Sequence, residues 1–293
     1  MPSKTNSLSE AAIFFALTLG LSYFVFWGPL ALFKVPTISF VSNKAGPVWA
    51  VALFIIGGFV PSLVAIGLTL TREGMPGLRR LGRRIAQFNI GWRWYLAAVG
   101  IVLIATAGQI VINRLLGHAF DLNLFLTQLV SFIPLIVLGP LSEELGWRGY
   151  AIDRLQTRWN ALLSSLILGA AWALWHLPLF FLVGTSQYEL KVPFLGFAAG
   201  LIAISVLFTW LHNNTGGSIW TAVFFHWVYT YADQVVATGV TRSPLSNVLE
   251  YLPYILLAVM IVAIWGPRTL RKGEQISLSQ ATSPTSISRQ SLD

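Results

Sequence analysis

Eight apolar stretches occupy most of this sequence: 11–33, 47–71, 94–113, 122–142, 161–183, 192–211, 217–236 and 247–266. A helix rises 1.5 Å per residue, so about 20 apolar residues cross the roughly 30 Å hydrocarbon core of a bilayer. Backbone in lipid must satisfy its own hydrogen bonds, and a helix does so within one segment. The pattern predicts an all-α fold, a polytopic transmembrane bundle of about eight helices. Composition agrees: 55% of the 293 residues are hydrophobic and 10% are charged. Soluble domains carry about 25% charge, and disordered chains are poor in apolar residues, so both classes are excluded. The absence of cysteine excludes disulfides, thiolate metal sites and a cysteine nucleophile.

The gaps between stretches are too short for a soluble domain. The chain divides into an amino-terminal segment 1–10, a transmembrane domain 11–267 and a Ser/Thr-rich tail 268–293, expected to be disordered. The first stretch follows Glu10 and lacks a small-residue cleavage site, so it reads as a span, not a removable signal. The net charge of +8 reflects membrane topology and not a nucleic-acid partner. With the amino terminus in the cytoplasm, 14 of the 19 Lys and Arg lie on the cytoplasmic side. Both termini are therefore expected there. Segment 78–88 sets Leu78, Leu81, Ile85 and Phe88 at helical spacing between Arg79, Arg80, Arg83 and Arg84. That pattern suits a short amphipathic helix on an anionic membrane surface, or an ordinary basic loop.

Ionisable residues inside a membrane are costly and mark function by default. Few exist here. Glu143 and Glu144 stand at the end of the fourth stretch, and Arg148 is four residues beyond Glu144, the spacing of a same-face ion pair. Adjacent helical residues point about 100° apart, so Glu143 faces elsewhere and is free to move protons. His176 lies in the fifth stretch, two residues before Pro178. His226 lies in the seventh, with Thr230 and Asp233 on the same helix face, and Asp233 is expected to orient the His226 ring. Each element has a plainer reading: interfacial ion pairing for the carboxylates, a histidine satisfied by a backbone carbonyl, and tryptophans at 172 and 175 that merely pack. The position of Glu143 suggests a site near the cytoplasmic leaflet.

In order, Glu143-Glu144-x-x-x-Arg148, Trp172-x-x-x-His176 and His226-x-x-x-Thr230 resemble the three motifs of the CPBP group of intramembrane endopeptidases. That group includes the CAAX-prenyl processing proteases (the Rce1-type enzymes) and bacterial abortive-infection or immunity relatives. Trp92-Arg93-Trp94-Tyr95 matches a further family habit, and the family-like core spans about 120–236. Two positions depart from the pattern: Trp172 replaces Phe, and Thr230 replaces Asn or Asp.

The resemblance implies a multi-pass protein of a prokaryotic plasma membrane that cleaves a membrane-associated or lipidated peptide. It assigns Glu143 as the base that activates water and His176 as its proton shuttle. It assigns His226 with position 230 as stabilisers of the oxyanion, while Glu144 and Arg148 complete the motif. No metal is favoured. If zinc were used, Glu143, His176 and His226 would be its ligands, although no His-Glu-x-x-His is present. Two other classes stay open: a scaffold or immunity protein with a degenerate site, and a proton-coupled transporter.

Overall fold

A computed structural model describes residues 4–39, 44–118, 122–123, 126, 137–239 and 244–271. They form a helical bundle. Helix α1 (Lys4–Leu21) passes through a π-helical turn (Ser22–Phe26) into α2 (Trp27–Leu32). A small antiparallel pair, β1 (Ile38–Ser39) with β2 (Lys44–Ala45), precedes α3 (Val48–Ile85) and α4 (Trp92–Leu115). A π-helical turn (Val137–Leu141) then leads into α5 (Ser142–Gly146), a second such turn (Trp147–Ala151) and α6 (Ile152–Gln156). Next come α7 (Ala161–His176), a 3-10 turn (Leu177–Phe180), α8 (Ser186–Glu189), α9 (Phe194–Asn214), α10 (Ile219–Gly239), α11 (Pro244–Leu249) and α12 (Leu252–Trp265).

Among the described residues, five helical segments are long and apolar enough to cross a membrane: Ser7–Leu32, Val48–Ile85, Trp92–Leu115, Ala161–Phe180 and Phe194–Asn214. They coincide with five of the eight stretches. The seventh stretch is helical as α10, and the eighth as the shorter apolar α12. Most of the fourth, 124–125 and 127–136, lies outside the described residues, as do 272–293 of the tail.

Close packing depends on small residues, as expected where lipid offers no hydrophobic drive between helices. A Cβ on Gly169 of α7 would lie 2.6 Å from the Ile202 Cα of α9. One on Gly146 of α5 would lie 2.6 Å from the Pro61 carbonyl oxygen of α3. Both glycines let two helix backbones touch, and any side chain there would push the pair apart.

Helix α3 is two helices. Gly74 (φ 64°, ψ −161°) breaks it just before Pro76, and 75–85 turns away as a separate amphipathic segment. Its apolar side docks on the bundle: Leu81 packs with Ile219 and Val223, and Ile85 packs alongside. Arg79 and Arg83 face out. Arg84, expected with them at the membrane surface, turns inward instead. It donates to the carbonyls of Gly217 (2.8 Å) and Gly149 (3.1 Å) and pairs with Asp153 (2.7 Å). Those carbonyls offered it partners that the sequence could not display.

Residues at this arginine-rich end lock several elements together. Arg154 bonds both Glu10 (2.8 Å) and Glu73 (2.7 Å). The amides of Ala161 and Leu162, at the open start of α7, donate to the carbonyls of Arg268 and Pro267. Asn213 and Asn214 bond the carbonyls of Thr269 and Leu270. The first residues of the tail are thus tied to the bundle. At the opposite end, Thr37 Oγ1 donates to the Val183 carbonyl (3.1 Å) and Ser39 Oγ to Glu189 (2.6 Å), which fastens the hairpin to the loop around α8.

Candidate active site

The run from Val137 to Gln156 is continuous through α5 and α6, so the fourth helix does not stop where its apolar stretch stops. Glu143 sits about 20 Å of helix from Gln156, and His176 about 22 Å from the start of α7. The two side chains share a depth. The site lies well along the bundle from the arginine-rich end. The charged residues of this helix find partners inside the protein.

Glu144 and Arg148 show how. Both are fully buried. Arg148 Nη1 donates to Glu144 Oε1 (2.9 Å) and Oε2 (3.1 Å), as the i,i+4 spacing predicts. The guanidinium lies over the ring faces of Phe208 (3.8 Å) and Trp172 (4.5 Å). Aromatic faces attract a desolvated cation and hold it where water cannot reach.

Glu144 has a second partner. His226 Nδ1 lies 2.7 Å from its Oε1. This is the position the sequence reading gave to Asp233. Asp233 stands seven residues along α10 from His226, about 10 Å of rise, whereas Glu144 faces the ring directly. With Nδ1 on a carboxylate, His226 Nε2 is left to the site.

Glu143 points the other way, as expected, and is held by two indoles. Trp172 Nε1 donates to its Oε2 at 2.7 Å and Trp147 Nε1 at 3.2 Å. Sequence reading took Trp172 for a packing residue. Its signal was the exchange of Phe for Trp in the second motif, since only Trp brings an N–H. Both donors engage Oε2, so Oε1 faces the gap beside Gly139. That glycine has φ 96°, and a Cβ there would lie 3.7 Å from Glu143 Oε1 and 3.6 Å from His226 Nε2. The bare face of Gly139 keeps the space between them open. Ser142 Oγ secures this turn, accepting from Gly139 N (2.9 Å) and donating to its carbonyl (3.1 Å).

His176 Nδ1 lies 2.8 Å from the Trp172 carbonyl. A carbonyl only accepts, so the proton is on Nδ1 and Nε2 carries a lone pair. Trp172 touches both histidines, with ring centroids 5.8 Å from His176 and 5.4 Å from His226.

A cavity of about 210 Å³ joins Gly139, Glu143, His176 and Thr230. Its apolar wall includes Trp27, Phe54, Trp175 and Leu179, and its polar side Ser186, Gln187, Thr230 and Gln234. Gln234, one turn beyond Thr230, was not singled out in the sequence; it brings a carboxamide to the helix whose third motif lacks Asn. Among the described residues, no three His, Asp or Glu side chains group to hold a metal ion.

The fold and site define a class: a multi-pass helical membrane protein with a glutamate and a histidine lining one cavity and a second histidine across the gap beside the glutamate. Residues 125–232 match the family model of the Type II CAAX prenyl endopeptidases, Rce1-like. A curated relative, CAAX prenyl protease 2 of Methanococcus maripaludis, is 34% identical over 142 residues, covering 47% of this chain and 51% of the relative. All three motifs fall within the segment that matches the Rce1-like model. The chain spans about half the length of the curated relative it matches.

Proposed function

We propose that this protein is an intramembrane endopeptidase that hydrolyses a peptide bond with a water activated by Glu143. The observation that carries this reading is the one-sided hold on Glu143: two indoles occupy Oε2, and Oε1 shares an open gap with His226 Nε2. A base must reach the water it deprotonates, and a donor must reach the oxygen that gains charge.

Glu143 Oε1 takes a proton as the water attacks the carbonyl. The hydroxide oxygen bonds to carbon and the carbonyl becomes an oxyanion. His226, as imidazolium, keeps Nδ1–H on Glu144 and offers Nε2–H to that oxyanion. Thr230 adds a hydroxyl on the same helix face. His176 Nε2, with its lone pair, relays the proton from Glu143 to the peptide nitrogen as the oxyanion collapses to a carboxyl group and the C–N bond breaks. Glu144 and Arg148 position His226 without touching the reacting atoms. The mechanism proposed here uses no metal, and a membrane-associated or lipidated peptide is the substrate class that the relative's name suggests.

The test is cleavage of membrane-anchored and farnesylated peptides by purified protein in detergent, with Glu143→Gln and His226→Ala for comparison. Both substitutions are expected to abolish cleavage while the protein stays folded. A Glu143→Gln protein that retains whatever function the wild type shows would favour a scaffold.

A further inference from the structure

Two helices bring the proposed reacting groups together, and one short segment grips both. The run from Val137 to Gln156 carries Glu143 and Glu144, and α10 carries His226. The segment is the amphipathic end of α3, 75–85, set apart from the rest of that helix by Gly74. Leu81 forms one apolar cluster with Ile219 and Val223 of α10, and Ile85, Leu141 and Leu145 pack against it. Leu141 and Leu145 flank the two glutamates. Gly149 makes room for the contact, since a Cβ there would lie 2.9 Å from Leu81 Cδ1 and 3.0 Å from Ile219 Cδ1.

Arg84 adds polar bonds to the same two helices. Its Nε donates to the Gly217 carbonyl (2.8 Å), just before α10 begins. Its Nη1 donates to the Gly149 carbonyl (3.1 Å) and its Nη2 to the Arg148 carbonyl (3.3 Å). Both carbonyls belong to the π-helical turn Trp147–Ala151, where i→i+5 bonding interrupts the regular helical ladder. Two residues of that turn reach the site. Trp147 donates to Glu143 Oε2, and Arg148 holds Glu144, which bonds His226. The start of α10 is fastened a second time. Ser218 Oγ accepts from Thr221 N (3.2 Å), capping the helix, and donates to the Gln87 carbonyl (2.9 Å).

We infer that 75–85 clasps the glutamate-bearing helix to the His226-bearing helix, and that Arg84 is a positioning residue for the proposed reaction. Its guanidinium sets the spacing of Glu143 Oε1 and His226 Nε2 across the gap beside Gly139. The role in the reaction rests on the peptidase reading; the clasp rests on the contacts alone. Gly217 precedes His226 by nine residues, about two and a half helical turns, so a shift at the start of α10 is carried to the ring. A misplacement of about 1 Å can cost about 10² in rate. The planar guanidinium presents five donors in a fixed fork, whereas Lys offers a point charge and Gln a single amide. Asp153 also pairs with Arg84 (2.7 Å), but it lies beyond the π-helical turn and bonds His212 as well (2.9 Å).

Steady-state cleavage of membrane-anchored peptides and thermal unfolding are measured on the purified full chain. Arg84→Gln, and Arg84→Lys, which keeps the charge, are each expected to lower kcat by about 10- to 100-fold with KM little changed. Asp153→Asn removes the charge partner and leaves the three carbonyl bonds, so it is expected to lower Tm and leave kcat near the wild-type value. Arg83→Gln, exposed one residue away, is expected to change neither. Wild-type kcat in Arg84→Lys, or losses of kcat that follow Tm alike in the Arg84 and Asp153 variants, overturn the positioning role. The clasp has a readout that needs no cleavage. The chain has four histidines, so the ring ¹⁵N resonances of His226 are the ones missing from His226→Ala. Arg84→Gln is expected to shift them and Arg83→Gln to leave them in place. Unshifted His226 resonances in Arg84→Gln overturn the inference. If they shift and the wild type cuts no peptide, the peptidase reading falls and the clasp stands.

Discussion

Trp172 Nε1 donates to Glu143 Oε2 at 2.7 Å, and the face of the same indole lies 4.5 Å from the Arg148 guanidinium carbon. One side chain thus links the reactive carboxylate to the buried ion pair behind it. A phenylalanine in its place would keep the aromatic face and lose the N–H. Hydrogen bonds to charged groups contribute about 1.5–3 kcal/mol. Trp172→Phe is expected to lower kcat/KM about tenfold, as about 1.4 kcal/mol of positioning would. Unchanged kinetics in this variant would show that the indole N–H only packs.

Arg148→Ala leaves Glu144 charged and buried with a lone histidine partner. Breaking a buried pair in this way costs about 3–5 kcal/mol. Thermal unfolding in detergent is expected to show a large loss for Arg148→Ala and none for Glu143→Gln. Glu144→Gln combined with Arg148→Met is expected to recover much of the stability and none of the cleavage, because His226 has lost its anion. Equal recovery of both would remove the positioning role assigned to Glu144.

Gly139→Ala adds a methyl into the gap between Glu143 Oε1 and His226 Nε2, at a backbone with φ 96°. Strain of this kind costs about 1–3 kcal/mol. The expected result is a modest fall in Tm together with loss of cleavage out of proportion to it. A variant destabilised but fully active would mean that water is activated elsewhere.

Thr230→Ala and Gln234→Ala separate two roles on α10. Loss of an oxyanion donor costs about 10²–10³ in rate, so Thr230→Ala is expected to lower kcat. Gln234→Ala, one turn farther along the cavity, is expected to raise KM more than it lowers kcat. The opposite split in steady-state kinetics would exchange the two assignments.

Much of this was legible in the sequence, and the exceptions share a cause. The apolar stretches located the described spanning helices, and the i,i+4 spacing of Glu144 and Arg148 located their ion pair, because both signals are local. The Glu144–His226 bond joins residues 82 positions apart, so the sequence offered only the local alternative, Asp233. The fourth helix was cut short at Leu141 and Ser142 because carboxylates read as an interface when their partners, Trp147, Trp172 and His226, are not in view. Of the two readings open for 78–88, the amphipathic helix holds as far as Ile85, with Arg84 turned inward. That its apolar side met Ile219 and not lipid depended on the turn at Gly74.

Glu143 is the centre of the proposed mechanism. The most direct measurement is the cleavage rate of membrane-anchored peptides by purified wild type and Glu143→Gln, with and without chelator, alongside their thermal unfolding. A general base contributes about 10²–10⁴-fold. A loss of that size, with Tm unchanged and no effect of chelator on the wild type, is the predicted result. Wild-type rates from Glu143→Gln would contradict it.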